Sequence, residues 1–127
     1  MDDERSSVIV IGKEEYRLLL TTKATKEIAK RYGGLENLGD KLIKAENFEM
    51  ALDEIVWLIT LLANQGVMID NKLNGEKRLL LSEDDVELLT SPMELSTYKD
   101  IIMEAMLKGT KRYIESEEVE IKNAKVE

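Results

Sequence analysis

The sequence contains no cysteine and no histidine. The first absence excludes disulfide bridges, thiol nucleophiles and thiolate metal ligands. The second removes the commonest general base and the commonest metal ligand near neutral pH. Proline occurs once and glycine seven times in 127 residues, which leaves little room for long linkers. Basic residues are also in deficit: 18 Lys and Arg against 26 Asp and Glu give a net charge of −8. Duplex nucleic acid is a dense polyanion, so this balance points away from generic nucleic-acid binding and toward solubility or a partner with a basic face. The longest apolar stretch, Ile55 to Ala63, is interrupted only by Thr60 and is about half the length of a membrane span. The opening Met1-Asp2-Asp3-Glu4-Arg5 is acidic where a secretory signal would be basic. The expectation is a soluble cytoplasmic protein that meets neither membrane nor nucleic acid and is not an enzyme.

What is present is helical periodicity. Apolar residues make up 43% of the chain, enough for one domain around one core. Val8-Ile9-Val10-Ile11, a turn at Gly12-Lys13-Glu14-Glu15, and Tyr16 to Leu20 read as a β-hairpin with Tyr16, Leu18 and Leu20 on one face. An isolated hairpin is marginal in water, so its apolar face must lie on helices or on another chain. Thr21 or Thr22 caps a first helix lined by Ala24, Ile28 and Tyr32 and closed by Gly33-Gly34. A short helix is expected over Asn37 to Ile43. The strongest signal runs from Glu46 to Gln65, where Phe48, Leu52, Ile55, Ile59 and Leu62 form a stripe widened by Ala51, Val56 and Leu58, with Gly66 as its stop. Val67 to Leu81 reads equally as a loop or as a hairpin around Asn74-Gly75. Ser82 caps a further helix with Glu83, Asp84 and Asp85 in its first turn. Ser91-Pro92 opens the last one, with Ile102, Met106, Gly109 and Tyr113 inward, helped by Leu95, Tyr98 and Ala105. The expected fold is mainly α (α+β): an N-terminal β-hairpin followed by a bundle of about four to five helices. Residues 1–117 form a single domain, and residues 118–127 are expected to be a disordered acidic tail.

No motif for chemistry survives inspection. Asp70-Asn71-Lys72-Leu73-Asn74-Gly75 resembles the start of a calcium loop, but Lys72 and Leu81 occupy positions that require oxygen ligands. The acidic run Glu83, Asp84, Asp85 and Glu87 is a helix start and a solvated face rather than a metal site. Gly33, Gly34 and Gly39 match neither a dinucleotide fingerprint nor a P-loop. No catalytic, cofactor or metal residue is therefore nominated. Candidate partner-binding residues are Trp57, Met103, Met106, Lys108, Lys111 and Arg112. Tryptophan at a partly exposed position anchors partners, although its apolar neighbours favour core packing. Thioethers suit adaptable surfaces and also fill core gaps. The basic cluster complements a helix C-terminus or an acidic partner.

Longer runs of the sequence carry a family likeness. After the hairpin come Thr21-Thr22-Lys23-Ala24 and a helix ending Arg31-Tyr32-Gly33-Gly34. The long apolar helix ends Leu61-Leu62-Ala63-Asn64-Gln65-Gly66. Leu81-Ser82-Glu83-Asp84-Asp85-Val86-Glu87-Leu88-Leu89-Thr90-Ser91-Pro92 follows, and the chain closes with Ile102-Met103-Glu104-Ala105-Met106-Leu107-Lys108-Gly109-Thr110-Lys111-Arg112 and an acidic Glu115-Ser116-Glu117. Over residues 8 to 117 this resembles the tail assembly chaperones of long-tailed bacteriophages and prophages of Gram-positive bacteria. The resemblance implies a holding factor that coats the long, largely helical tape measure protein until tail tube subunits polymerise around it. The implied partners are the tape measure protein and, through a frameshifted longer product, the tail tube protein. Self-association is compatible with the sequence. Two other readings stay open: a helical structural or adaptor component of a phage particle, and a bacterial protein-binding regulator.

Overall fold

The β-branched residues near the start of the chain pair into a hairpin in the computed structural model, which describes residues 6–34, 37, 48–106 and 108. Strand β1 (Ser6–Ile11) runs antiparallel to β2 (Glu14–Leu19). Side chains alternate across a strand, so Ile9, Ile11, Tyr16 and Leu18 enter the core while Val8 and Val10 stay half-exposed. The turn is shorter than the four residues expected. Gly12 and Lys13 make it alone, and Glu14 and Glu15 already belong to β2. Gly12 has φ 66° and no other residue type takes a positive φ among the described residues, the pattern of a type II′ turn.

Helix α1 (Thr22–Tyr32) starts where the Thr21 hydroxyl accepts a hydrogen bond from the Ala24 N–H at 3.0 Å. It ends at Gly33, whose φ of 86° lets its N–H donate to the Ala29 carbonyl at 2.8 Å. Ala24, Ile28 and Tyr32 are its buried residues.

Helix α2 (Phe48–Asn74) corrects the expected boundary. It does not stop at Gly66 but runs through it. A Cβ at Gly66 would lie 2.8 Å from the backbone oxygen of Arg17, so the glycine marks where helix and strand touch rather than where the helix ends. Ile55, Val56, Leu58, Ile59, Leu62, Ala63 and Val67 are buried along α2, and its most extensive packing is on β2. The stretch Leu52–Asn74 is long and apolar enough, by length and composition, to cross a membrane; in the fold it is the core helix. The side chains of Phe48 and Ala51 lie outside the described part of the chain.

Of the two readings of Val67 to Leu81, the hairpin does not form. Residues 67–74 complete α2, and residues 75–82 form neither helix nor strand. Gly75, at φ 68°, follows the last helical residue. Helix α3 (Glu83–Leu89) begins with a capping box: Ser82 and Asp85 bond reciprocally to each other's backbone N–H, at 3.0 and 3.2 Å. Helix α4 (residues 92–106) starts at Ser91, whose hydroxyl accepts from the Glu94 N–H at 3.2 Å. Leu95, Tyr98, Ile102, Ala105 and Met106 form its buried side. Hairpin plus four helices make the mainly helical α+β fold that the sequence pattern predicts. The expected helix at Asn37–Ile43 lies outside the described residues apart from Asn37, and the expected tail at 118–127 lies outside them entirely.

Three outward-facing carbonyls of the hairpin are met by other parts of the fold. Antiparallel alternation turns the carbonyls of Val10, Glu15 and Arg17 away from the partner strand. The Tyr98 hydroxyl donates to Val10 at 2.8 Å, the Arg78 guanidinium donates to Glu15 at 3.3 Å, and Gly66 packs on Arg17.

Candidate functional site

Helix α2 has two working sides. One carries the hairpin. There Asp70 binds Arg17 at 2.6 Å and faces Arg78 at 3.6 Å. Arg78 also lies over the Tyr16 ring, 5.2 Å from its centroid, and 3.8 Å from Glu14. Asp70 and Asn71, which opened the calcium-like segment, are thus helical residues already engaged with neighbouring groups. No group of three or more ligating side chains placed to hold a metal occurs among the described residues.

The other side of α2 is left partly open. Trp57, Leu61 and Met68 are half-buried there and form the floor of a groove of about 880 Å³. One wall is α1, which contributes Lys23, Glu27 and Arg31; the opposite wall is Leu80 with Glu83 and Glu87 of α3.

Two asparagines hold the second wall in place. The Asn64 side chain donates to the Leu81 carbonyl at 2.8 Å and accepts from the Leu81 N–H at 2.7 Å. Asn71 does the same to Arg78, at 3.0 and 3.1 Å. A seven-residue step on a helix advances about 10.5 Å, and three extended residues cover about 10 Å. The two amides therefore meet the returning chain in register, acting as two rungs of a ladder that has no second strand. This strap presents Leu79 (90% exposed) and Leu80 (52%). A smaller groove of about 680 Å³ lies on its far side, between Gly12, Tyr16, Arg78, Leu79 and Leu89.

The first wall is fixed at both ends. At its start, the capping hydroxyl of Thr21 donates to the side-chain oxygen Oε1 of buried Gln65 at 2.5 Å, and Gln65 Nε2 donates to the Leu61 backbone carbonyl at 3.1 Å. At its end, Arg31 pairs with Glu54 at 3.2 Å and stacks 4.5 Å from the Trp57 ring centroid. Tyr32 meets Trp57 edge-on at 5.9 Å and donates its hydroxyl to Glu54. Burial and the Glu54 carboxylate both raise the Tyr32 pKa above that of a free phenol.

The sequence-nominated residues divide between places. Trp57 lies in the groove and is also clamped by Arg31 and Tyr32. Met106 is buried in the core, and Met103 packs half-buried against it. Lys108 is paired with Glu104 at 2.9 Å. Lys111 and Arg112 lie outside the described residues. The structure adds Leu61, Met68, Leu80, Glu83 and Glu87 to the groove. The sequence signal for the strap was Asn64 and Asn71 at seven-residue spacing, followed by an apolar run without helical periodicity.

Fold and groove together define the class of molecule: a small α+β protein with an open cleft of mixed apolar and polar lining along the longest helix among the described residues. Compared with models of known families, with characterised proteins and with solved structures, the chain matches none.

Proposed function

We propose that the chain is a protein-binding holding factor that keeps a long helical partner soluble. In the manner of the tail assembly chaperones it resembles, that partner is the phage tape measure protein, held in the host cytoplasm until tail tube subunits displace the chaperone. The observation that carries the reading is the groove over Trp57, Leu61 and Met68, with Leu80 of the strap exposed in its wall. Amphipathic helices bind by laying an apolar face into such a groove. The cleft is open rather than enclosing, which suits a complex that must later come apart, since affinity differences are mostly differences in release rate. The surplus negative charge of the chain opposes its own aggregation while it carries an apolar client. Catalysis forms no part of the proposal.

Co-expression with a candidate tape measure protein is the test. The long protein should move into the soluble fraction and co-purify with this chain. If it is equally insoluble with and without the chain, the holding role is wrong. Stoichiometric recovery of the chain in purified particles would assign it instead to the finished structure.

A further inference from the structure

The walls of the groove differ in charge. Glu83 and Glu87 stand one helical turn apart on the α3 wall and have no ion-pair partner among the described residues, as is also true of Asp53 at the floor's edge. On the α1 wall, Arg31 is already neutralised by Glu54, and Glu27 lies 3.6 Å from Lys30. Lys23 is the remaining cation lining the groove. The cleft therefore has a floor where Trp57, Leu61 and Met68 are joined by the polar Thr60, Asn64 and Gln65, one unpaired acidic wall, and an opposite wall whose one unpaired charge among the described residues is the Lys23 ammonium. Its floor follows α2 from Asp53 to Met68, about 22 Å at the helical rise, which is the length of a four-turn helix.

We infer that the groove takes an amphipathic α-helix of a partner protein whose apolar stripe is flanked on one side by Lys or Arg, the basic flank lying against Glu83 and Glu87. The occupant follows from charge complementarity: a neutral or acidic helix would satisfy the floor but leave the α3 carboxylates facing nothing or facing like charge. Because only one wall is unpaired and acidic, the charges also fix which way the helix is rotated in the cleft. The inference rests on the holding-factor reading for the identity of the client, but not for the chemistry of the site.

The test uses the full chain and two synthetic helical peptides of about sixteen residues, the length that spans the floor. Both have the same Leu/Met stripe. One carries Lys along a single flank and the other carries Glu there. Trp57 is the only tryptophan of the chain and lies in the groove, so its emission reports occupancy directly. The Lys peptide should shift the emission and bind about tenfold more tightly than the Glu peptide, with the preference shrinking as salt is raised. In the surface variant E83K/E87K the preference should reverse. Equal affinity for both peptides, or no emission change with either, overturns the inference. Acrylamide quenching of Trp57 without peptide separates the other occupants. Shielding that appears only at high protein concentration assigns the groove to a second copy, and shielding at every concentration assigns it to the chain's own residues. Either result also overturns the inference. If the peptides behave as expected but a tape measure protein is not solubilised, the groove stands and the holding role falls. If solubilisation is kept by E83K/E87K and the peptides are not discriminated, the opposite holds.

Discussion

Replacing Gly66 by alanine separates two lines of reasoning that predict opposite signs. Helix propensity alone says the change should help, because alanine in a helix interior is favoured over glycine by about 1 kcal/mol. The packing says otherwise. The new methyl would stand 2.8 Å from the Arg17 carbonyl oxygen and 3.4 Å from its Cβ. The nearer atom is backbone, so no rotamer change relieves the contact. Helix α2 and strand β2 must separate by more than half an ångström at their closest point to reach ordinary contact at about 3.4 Å. That displacement acts on buried Leu18 and Val67 and on the 2.6 Å Arg17–Asp70 pair. Overpacking costs about 1–3 kcal/mol, and a clash with backbone that no rotamer relieves belongs to the upper half of that range, about 2–3 kcal/mol, so once the propensity gain is subtracted the net loss is about 1–2 kcal/mol. For a domain of this size that lowers the melting temperature by about 4–8 °C. Urea and thermal unfolding followed by Trp57 fluorescence and circular dichroism measure it. A variant as stable as the parent, or more stable, would refute the claim that Gly66 is a contact point between helix and strand.

Two further perturbations test the strap and the phenols. Asn64→Ala removes both hydrogen bonds to Leu81, leaving its N–H and carbonyl partnerless, at a cost of about 1–3 kcal/mol; hydrogen exchange at the Leu81 amide should accelerate well beyond the global loss, and unchanged protection there would remove the asparagine from its assigned role. Tyr16, Tyr32 and Tyr98 all have pKa values raised above 10.0, each mainly by burial and next by a carboxylate, respectively Glu14, Glu54 and Glu94. The folded state therefore holds these protons longer than the unfolded chain, so this contribution is fully present below pH 10 and is lost as pH rises through the folded values. Ultraviolet titration should show tyrosinate forming late, in step with unfolding, and Tyr32→Phe should flatten the alkaline loss of stability; an alkaline limb unchanged by that substitution would contradict the assignment.

Local chemistry was legible where one residue decides one event. Ser82 and Ser91 read as caps from their hydroxyls and act as caps, and of the two candidates Thr21 and Thr22 it is Thr21 that caps α1. Period two finds Tyr16 and Leu18 on the buried face of β2 but misses Leu19, which is fully buried, and period three-to-four finds Leu95, Tyr98, Ile102, Ala105 and Met106 on α4, while Gly109 and Tyr113 lie outside the described residues. Reading failed where a residue serves a distant partner. Gly66 looks like a helix stop because glycine disfavours helix, and nothing in the neighbouring sequence reveals that Arg17 presses on it. Asn74-Gly75 looks like a hairpin because such a turn needs positive φ, yet many helices also end through a residue of positive φ. Gly75 adopts φ 68° directly after α2. The choice is made instead by Asn64 and Asn71, which lie upstream on the helix and capture the backbone that a hairpin would have paired with itself. Of the candidate site, Trp57 is legible in the sequence because tryptophan at a partly exposed helix position anchors partners. Its floor partners Leu61 and Met68 were hidden within a helix apolar on most sides, and Glu83 and Glu87 looked like ordinary solvated charge.

The length of α2 explains why one helix serves both the fold and the groove. Had it ended at Gln65, the hairpin would lose Gly66 and Asp70, the two points where β2 is pressed and ion-paired. The chain would also lack Asn71, and Asn64 alone can hold only one point of the strap. A strap pinned at one point pivots, whereas one pinned at Arg78 and Leu81 is fixed in direction as well as position. That direction sets where Leu80 and the start of α3 stand, and hence the width of the groove over Trp57. The last turns of α2 thus shape a cleft that lies mostly over its middle. A perturbation at Asn71 or Asp70, remote from Trp57 along the helix, should reach the groove through the strap.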